Sequence, residues 1–151
     1  MNVIRFTALA LLAFANLALG EVEDCGSEEG SLDAVEISDC NLDTMKACPL
    51  KRGGEVVMKM KFTTKKPETN ITTVVHGILG LIKVKFNLPD GDNACLTSGL
   101  ECPLEENKQY TYSASLPVLN KYPRLSVKVQ WELKDSANKN IVCVKIPAKI
   151  V

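Results

Sequence analysis

The 151-residue sequence has little of what most enzymes place in their active sites. It contains one histidine, His76, and one tryptophan, and aromatic residues make up only 5% of the chain. A Ser/His/acid triad needs a histidine base beside its nucleophile, and no GxSxG motif frames a serine here. No glycine-rich phosphate loop precedes a helical pattern. We therefore expect a protein that is not an enzyme, with His76 as a structural strand residue.

An excess of charge of one sign is also lacking. The chain has 18 basic and 18 acidic residues. Nucleic-acid binding needs a basic surface and binding in the membrane interface needs a basic amphipathic helix, and the sequence shows neither. It also has no CxxC pair, and one histidine among six cysteines is a poor set of zinc ligands. We expect no nucleic acid partner, no metal and no cofactor.

Long hydrophobic runs are absent after the first twenty residues. The one run, from Phe6 to Leu19, ends in the small residues Ala18 and Gly20, which is typical of a secretory signal peptide and its cleavage site. It is shorter than the roughly 20 apolar residues of a membrane span, which argues against the alternative of an anchor. We predict a signal peptide at 1–20, a mature domain at 21–151, and secretion to extracellular fluid, with the lysosomal lumen as a further destination.

Cysteine is plentiful for a chain of this length. An even number of cysteines in a secreted chain predicts a disulfide framework, here of three bonds. Six cysteines allow 15 pairings. Spacing favours two local loops and one long tie between the ends, but it leaves the pairing open. The six are Cys25, Cys40, Cys48, Cys95, Cys102 and Cys143.

Alternation of apolar and polar residues predicts an all-β fold. In "VVMKMKF" (56–62) and "LSVKVQWEL" (125–133), apolar side chains share one face and polar ones the other. Turn residues separate the segments, and no segment has a sustained helical period. About seven half-buried strands predict an antiparallel sandwich of two sheets. The other five predicted strands are "LDAVEIS" (32–38), "TTVVHGIL" (72–79), "LIKVKF" (81–86), "QYTYSASL" (109–116) and "NIVCVKIP" (140–147).

The inner faces raise the question of whether the interior is filled. Met58 and Met60 are flexible and tolerate irregular packing. The inner faces carry almost no polar group, so a pocket between them would suit an aliphatic or steroidal ligand. A filled, adhesive sandwich without a ligand is the alternative.

Separately, "NIT" at Asn70 is a glycosylation acceptor in a polar segment that we predict to be an exposed turn.

A set of motifs in a fixed order resembles the ML lipid-recognition domain family, and within it most closely the Niemann-Pick type C2 sterol carriers of the arthropod branch. The motifs are "DCGS" (24–27), "VVHGIL" (74–79), "CPLEENKQYTY" (102–112), "LPVLNKYP" (116–123), "VQWEL" (129–133) and "CVKIP" (143–147). The resemblance implies an immunoglobulin-like β-sandwich with an internal lipid pocket between its sheets. It also implies the disulfides Cys25–Cys143, Cys40–Cys48 and Cys95–Cys102.

The resemblance further implies a ligand site. The aromatic residue at the pocket entrance falls on Phe86, with Val118 and Tyr122 beside it. Sterol-binding relatives carry aromatics at the positions of Val56 and Val144, so valine there predicts a roomier pocket that holds bent chains such as unsaturated fatty acids. Further pocket positions fall on Ile37, Leu50, Met58, Val84, Leu116, Pro123 and Trp131.

Together, these observations predict a secreted, monomeric carrier that holds a sterol or a long-chain fatty acid between two β-sheets. The carrier is expected to deliver this ligand to a membrane or a receptor. Two alternatives stay open: an immune module that presents microbial lipids to a receptor, and a carrier of semiochemicals in chemosensory fluid.

Overall fold

The computed structural model describes residues 21–151, and the predicted signal peptide lies outside the described residues. All seven predicted strands are present, together with two very short ones and a single helical turn, so the all-β prediction is confirmed. In chain order the elements are β1 (Glu23–Asp24), β2 (Gly30–Ile37), β3 (Cys48–Leu50), β4 (Glu55–Thr64), β5 (Thr72–Leu79), β6 (Ile82–Phe86), α1 (Ala94–Thr97), β7 (Gln109–Pro117), β8 (Ser126–Lys134) and β9 (Asn140–Ile150).

The strands form two sheets that face each other. The larger sheet has the order β1-β9-β8-β5-β6, and β3 also pairs with β9; the smaller sheet has the order β2-β4-β7. The pairs are antiparallel except that of β3 with the end of β9, which is parallel. The prediction of a sandwich of two antiparallel sheets is confirmed, with this one short parallel pair added.

The core lies between the sheets because the alternation in the sequence matches the pleat of each strand. In β4, Met58, Met60 and Phe62 are buried, whereas Lys59 and Lys61 are exposed. The inner face of β8 follows the same pattern and is buried at Val127, Val129, Trp131 and Leu133. Each sheet therefore presents an apolar face to the other.

The pairing of strands in the larger sheet aligns the inward-facing side chains in rows that run across the strands. One row, here called the Phe86 row, joins Phe86, Val75, Trp131 and Val144 across β6, β5, β8 and β9. The next, the Gly77 row, joins Val84, Gly77, Val129 and Ile146 across the same strands. Trp131 of the first row and Val129 and Ile146 of the second line the cavity described below.

The two ends of the sandwich differ. At the far end, Asn70 precedes β5, and Thr72 pairs with Lys134 at the close of β8. At the other end, β5 finishes at Leu79 and turns into β6. The three disulfides join Cys25 to Cys143, Cys40 to Cys48 and Cys95 to Cys102, which are the pairs that the resemblance implied.

Candidate functional site

An apolar cavity of about 30 Å³ lies between the two sheets. Residues of the smaller sheet, of β3, β8 and β9 form its wall, and none of them carries a charged side chain. Its lining consists of Ile37, Cys48, Leu50, Val56, Met58, Leu116, Val129, Trp131, Ile146 and Ala148. An apolar cavity stays dry because water finds no hydrogen-bonding partner there.

Six of the twelve predicted ligand-binding residues line this cavity: Ile37, Leu50, Val56, Met58, Leu116 and Trp131. They come from both sheets and from β3, and the fold brings them together from positions almost a hundred residues apart. Four lining residues were not predicted: Cys48, Val129, Ile146 and Ala148. Val129 and Ile146 follow the alternation of β8 and β9, so that signal was present in the sequence.

The three residues predicted at the pocket entrance, Phe86, Tyr122 and Val118, do not line the cavity. The rings of Phe86 and Tyr122 meet edge to face with centroids 5.6 Å apart, a favourable geometry for an aromatic pair. Val118 is 4% exposed, and its amide N–H donates to the carbonyl of Gly54 at 2.9 Å. Backbone pairing therefore fixes Val118 against the turn that precedes β4.

A surface cleft of about 350 Å³ adjoins the cavity, and Val118 lines it. Leu50 and Val56 line both the cleft and the cavity. These two side chains therefore form the wall that separates the dry interior from the surface on this side.

The other three predicted residues do not line the cavity either. Val144 is completely buried in the Phe86 row, directly beside Trp131. Val84 points to the inner side of β6, as its register shows, but it is 45% exposed because β6 is the edge strand. Pro123 is exposed in the connection between β7 and β8.

A buried hydrogen-bond network lies next to the cavity and links the sheets. Trp131 Nε1 donates to the hydroxyl oxygen of Tyr112 at 3.1 Å, and that oxygen lies 3.0 Å from Thr73 Oγ1. Burial raises the pKa of Tyr112, although its hydrogen bonds with Thr73 and Trp131 oppose the shift. Tyr112 therefore stays neutral, and the indole N–H of the cavity residue Trp131 is satisfied.

The outer face of the larger sheet carries a second polar group of residues, around His76. Glu132 is only 5% exposed there although it points away from the core. Gln130 Nε2 donates to Glu132 Oε1 at 2.7 Å, Lys134 Nζ lies 3.3 Å from Glu132 Oε2, and His76 Nδ1 lies 3.9 Å from Glu132 Oε1. Burial and the charge of Lys83 lower the pKa of His76, more than Glu132 raises it. His76 is therefore neutral at neutral pH.

Asn70 is exposed at the far end of the sandwich, as predicted for an acceptor turn. Its glycosylation stays a prediction. Among residues 21–151, the structure contains no helix with the length and hydrophobicity of a membrane span.

The fold and the cavity define a disulfide-linked, immunoglobulin-like β-sandwich whose sheets enclose an apolar space. Residues 20–150 match the family model described as "ML domain". The chain therefore belongs to the ML domain family, which confirms the resemblance drawn from the motifs.

Characterised relatives cover nearly the whole chain. "NPC intracellular cholesterol transporter 2 homolog a" of Drosophila melanogaster is 46% identical over 142 residues, which are 93% of this chain and 93% of the relative. "NPC intracellular cholesterol transporter 2" of Mus musculus is 36% identical over 151 residues, covering 97% and 98% of the two chains. The higher identity with the insect protein agrees with the arthropod branch.

Solved structures agree with this assignment. A Niemann-Pick type C2 protein from the Japanese carpenter ant superposes with a TM-score of 0.80 at 33% identity, covering 87% of this chain and 99% of that one. Chicken MD-1 complexed with lipid IVa superposes with a TM-score of 0.55 at 12% identity, covering 85% and 86%. At that identity the likeness to MD-1 concerns the fold alone.

Proposed function

We propose that this protein is a non-catalytic carrier that encloses a hydrophobic ligand, a sterol or a long-chain fatty acid, between its two sheets. The observation that carries the proposal is the cavity between the sheets, whose lining has no charged side chain. The names of the fly and mouse relatives, which call those proteins cholesterol transporters, support it.

Burial of the ligand drives binding in this proposal. Removing apolar surface from water contributes about 25 cal/mol per Å², offset in part by the cost of ordering the partners. The polar group of the ligand stays at the entrance, because no charged side chain in the cavity lining is available to receive it. Six of the twelve residues predicted to bind the ligand line the cavity and would contact its apolar part.

The cavity must widen to accept such a ligand. Its volume of about 30 Å³ is far below the ~150 Å³ of an apolar cavity that admits benzene. Met58 lines the cavity and has an adaptable side chain. Phe86 and Tyr122 meet through ring contact alone rather than through hydrogen bonds, so their separation leaves no polar group unpaired.

The same proposal covers the setting in which the carrier works. The predicted signal peptide supports secretion, with delivery of the lipid to a membrane or a receptor in extracellular fluid or the lysosomal lumen. A glycan on Asn70 would lie at the far end, away from the entrance. A monomer suffices, because both walls of the cavity come from one chain. No specific observation favours the immune alternative, and a semiochemical carrier would use the same apolar cavity.

The test uses the full chain secreted from insect cells. We expect solvent extraction and mass analysis to recover one lipid per protein. After delipidation, a fluorescent long-chain fatty acid should bind with a change in the emission of Trp131, which is the only tryptophan, and cholesterol competition then ranks the two ligand classes.

A cavity-filling variant supplies the control. Leu116→Trp fills the cavity and should weaken binding by about tenfold or more. Ser115→Trp, on the exposed face of the same strand, should leave affinity unchanged. Absence of co-purified lipid together with no binding of either probe would refute the carrier function.

A further inference from the structure

Gly77 lies in the middle of β5, where its missing side chain leaves space that another residue fills. A Cβ atom built on Gly77 would lie 2.7 Å from Phe86 Cε2 and 3.2 Å from Phe86 Cζ. The phenyl ring of Phe86 therefore rests directly on the backbone of Gly77. Glycine in a strand interior is unfavourable unless something must approach the backbone closely, and here the approaching group is this ring.

The position of Gly77 in the sheet places this contact between the cavity and the edge strand. In the Gly77 row, Val129 and Ile146 line the cavity, whereas Val84 at the other end is 45% exposed on the edge strand. Gly77 lies between these two ends. The ring of Phe86 leans out of its own row into this gap, and so it lies between the cavity wall and the exposed edge of the sheet.

Neighbouring side chains confine the phenyl ring of Phe86 to the position in which it covers Gly77. Tyr122 holds it from the side at a centroid distance of 5.6 Å. Val127 Cγ2 would lie 3.3 Å from the same Cβ built on Gly77. A methyl group at position 77 would therefore meet Val127 on one side and the ring on the other, and the ring, at 2.7 Å, would have to move.

We propose, on the basis of the carrier function above, that Gly77 is the positioning residue for Phe86 and part of the ligand's entry path. In the ligand-free protein the ring lies on Gly77 and closes the Gly77 row. When the ring leaves, the row becomes a continuous apolar path from Val84 past Gly77 to Val129 and Ile146. An acyl chain then enters along this path.

The principal test is Gly77→Ala in the delipidated full chain, with a fluorescent long-chain fatty acid followed by stopped flow. Alanine destabilises the closed arrangement, through its 2.7 Å contact with the ring, more than the open one, in which its methyl group meets only Val127 at 3.3 Å, so it raises the fraction of protein ready to bind. We expect association to accelerate by roughly tenfold, the order set by a steric overlap of this kind. Dissociation should stay within about twofold, because the ring has already left Gly77 in both the bound and the open state.

Two further variants separate positioning from general destabilisation. In a Phe86→Leu background the ring is absent, and Gly77→Ala should change association by less than about twofold. Gly30→Ala creates an equally short contact, 2.7 Å to the carbonyl oxygens of Ile141 and Thr63, but away from Phe86, and should not accelerate association. Slower association in Gly77→Ala, or an equal effect in either control, would overturn the proposal.

A separate readout keeps the positioning role testable if no lipid binds. Urea denaturation of the ligand-free proteins measures the contact itself: Gly77→Ala should lower the midpoint in the wild-type background and much less in the Phe86→Leu background. If no lipid binds but the effect of Gly77→Ala on the urea midpoint still depends on Phe86, the carrier function is refuted and the positioning role of Gly77 is not. Equal shifts in both backgrounds would refute the role of Gly77 whether or not lipid binds.

Discussion

Glu68 is a carboxylic acid that the fold places away from water at the far end of the sandwich. It is 3% exposed, and its Oε1 has no hydrogen-bond partner among the described residues. Burial raises the pKa of Glu68, the charge of Asp135 raises it further, and Lys66 only partly opposes the shift. The pKa of Asp135 itself is lowered: burial would raise it, but hydrogen bonds from Lys139 and Lys66 outweigh burial.

We predict that Glu68→Gln stabilises the protein at neutral pH. A carboxyl group whose pKa is raised by folding favours the folded state below its usual value of 4.5, and this advantage is lost as the pH rises through the folded-state value. Glutamine has no charge to bury and avoids this loss. The gain at pH 7 should be on the order of 1 kcal/mol, measured by urea denaturation.

The pH dependence of the difference identifies the cause. The gain of Glu68→Gln over wild type should shrink toward pH 4, where Glu68 regains its proton. Glu106→Gln, a change at an exposed position, should show no such trend. A difference that stays constant between pH 4 and pH 8 would mean that ionisation of Glu68 is not responsible.

At the scale of the strands, alternation was sufficient to predict every strand of five residues or more. It could not reveal β1 and β3, which have two and three residues, because so short a segment has no period. β3 exists because Cys48, Pro49 and Leu50 pair with the end of β9, which is a tertiary contact. For the same reason the sequence could not place Cys48 and Ala148, which face each other in that pair, at the cavity.

The candidate site was only partly predictable, because spacing along the chain does not show how side chains lean. The resemblance identified residues on both walls, six of which line the cavity. The register that puts Phe86 and Gly77 in neighbouring rows depends on the pairing of β5 with β6. Only the three-dimensional structure shows that the ring of Phe86 crosses from its own row into the Gly77 row.

The edge strand β6 exposes apolar side chains beside an unpaired backbone edge. Leu81 is fully exposed, and Ile82 is 63% exposed. Lys83 and Lys85 alternate with the apolar residues, and lysine on an edge strand discourages pairing with another chain. The two lysines therefore disfavour pairing of this edge with a second copy of the chain.

We predict that replacing both lysines of β6 by threonine causes self-association. Threonine keeps a high strand preference but removes the charge that opposes edge pairing. Sedimentation velocity at rising concentration should show dimers or larger species for Lys83→Thr/Lys85→Thr and a monomer for the wild type. Lys59→Thr/Lys61→Thr, on the central strand β4 of the smaller sheet, should remain monomeric. Equal association of both double variants would point to lost net charge instead.

Over the whole molecule, the three disulfides divide into one long tie and two local clips. Cys25–Cys143 spans 118 residues and joins the segment after β1 to β9. Cys95–Cys102 spans only 7 residues, and Cys40–Cys48 spans 8. The long tie fastens the beginning of the domain to the central region of the larger sheet, so it restricts the unfolded chain far more than either clip does.

We predict that loss of the long tie destabilises the protein by about 2 kcal/mol more than loss of a clip, because the entropy removed from the unfolded chain grows with the logarithm of the loop length. Urea denaturation of the ligand-free Cys25→Ala/Cys143→Ala variant, compared with Cys95→Ala/Cys102→Ala, measures this difference. Both variants remove one disulfide and leave the cavity lining intact. A loss that is equal in the two, or larger for the clip, would show that local packing around the sulfur atoms outweighs the restriction of the unfolded chain.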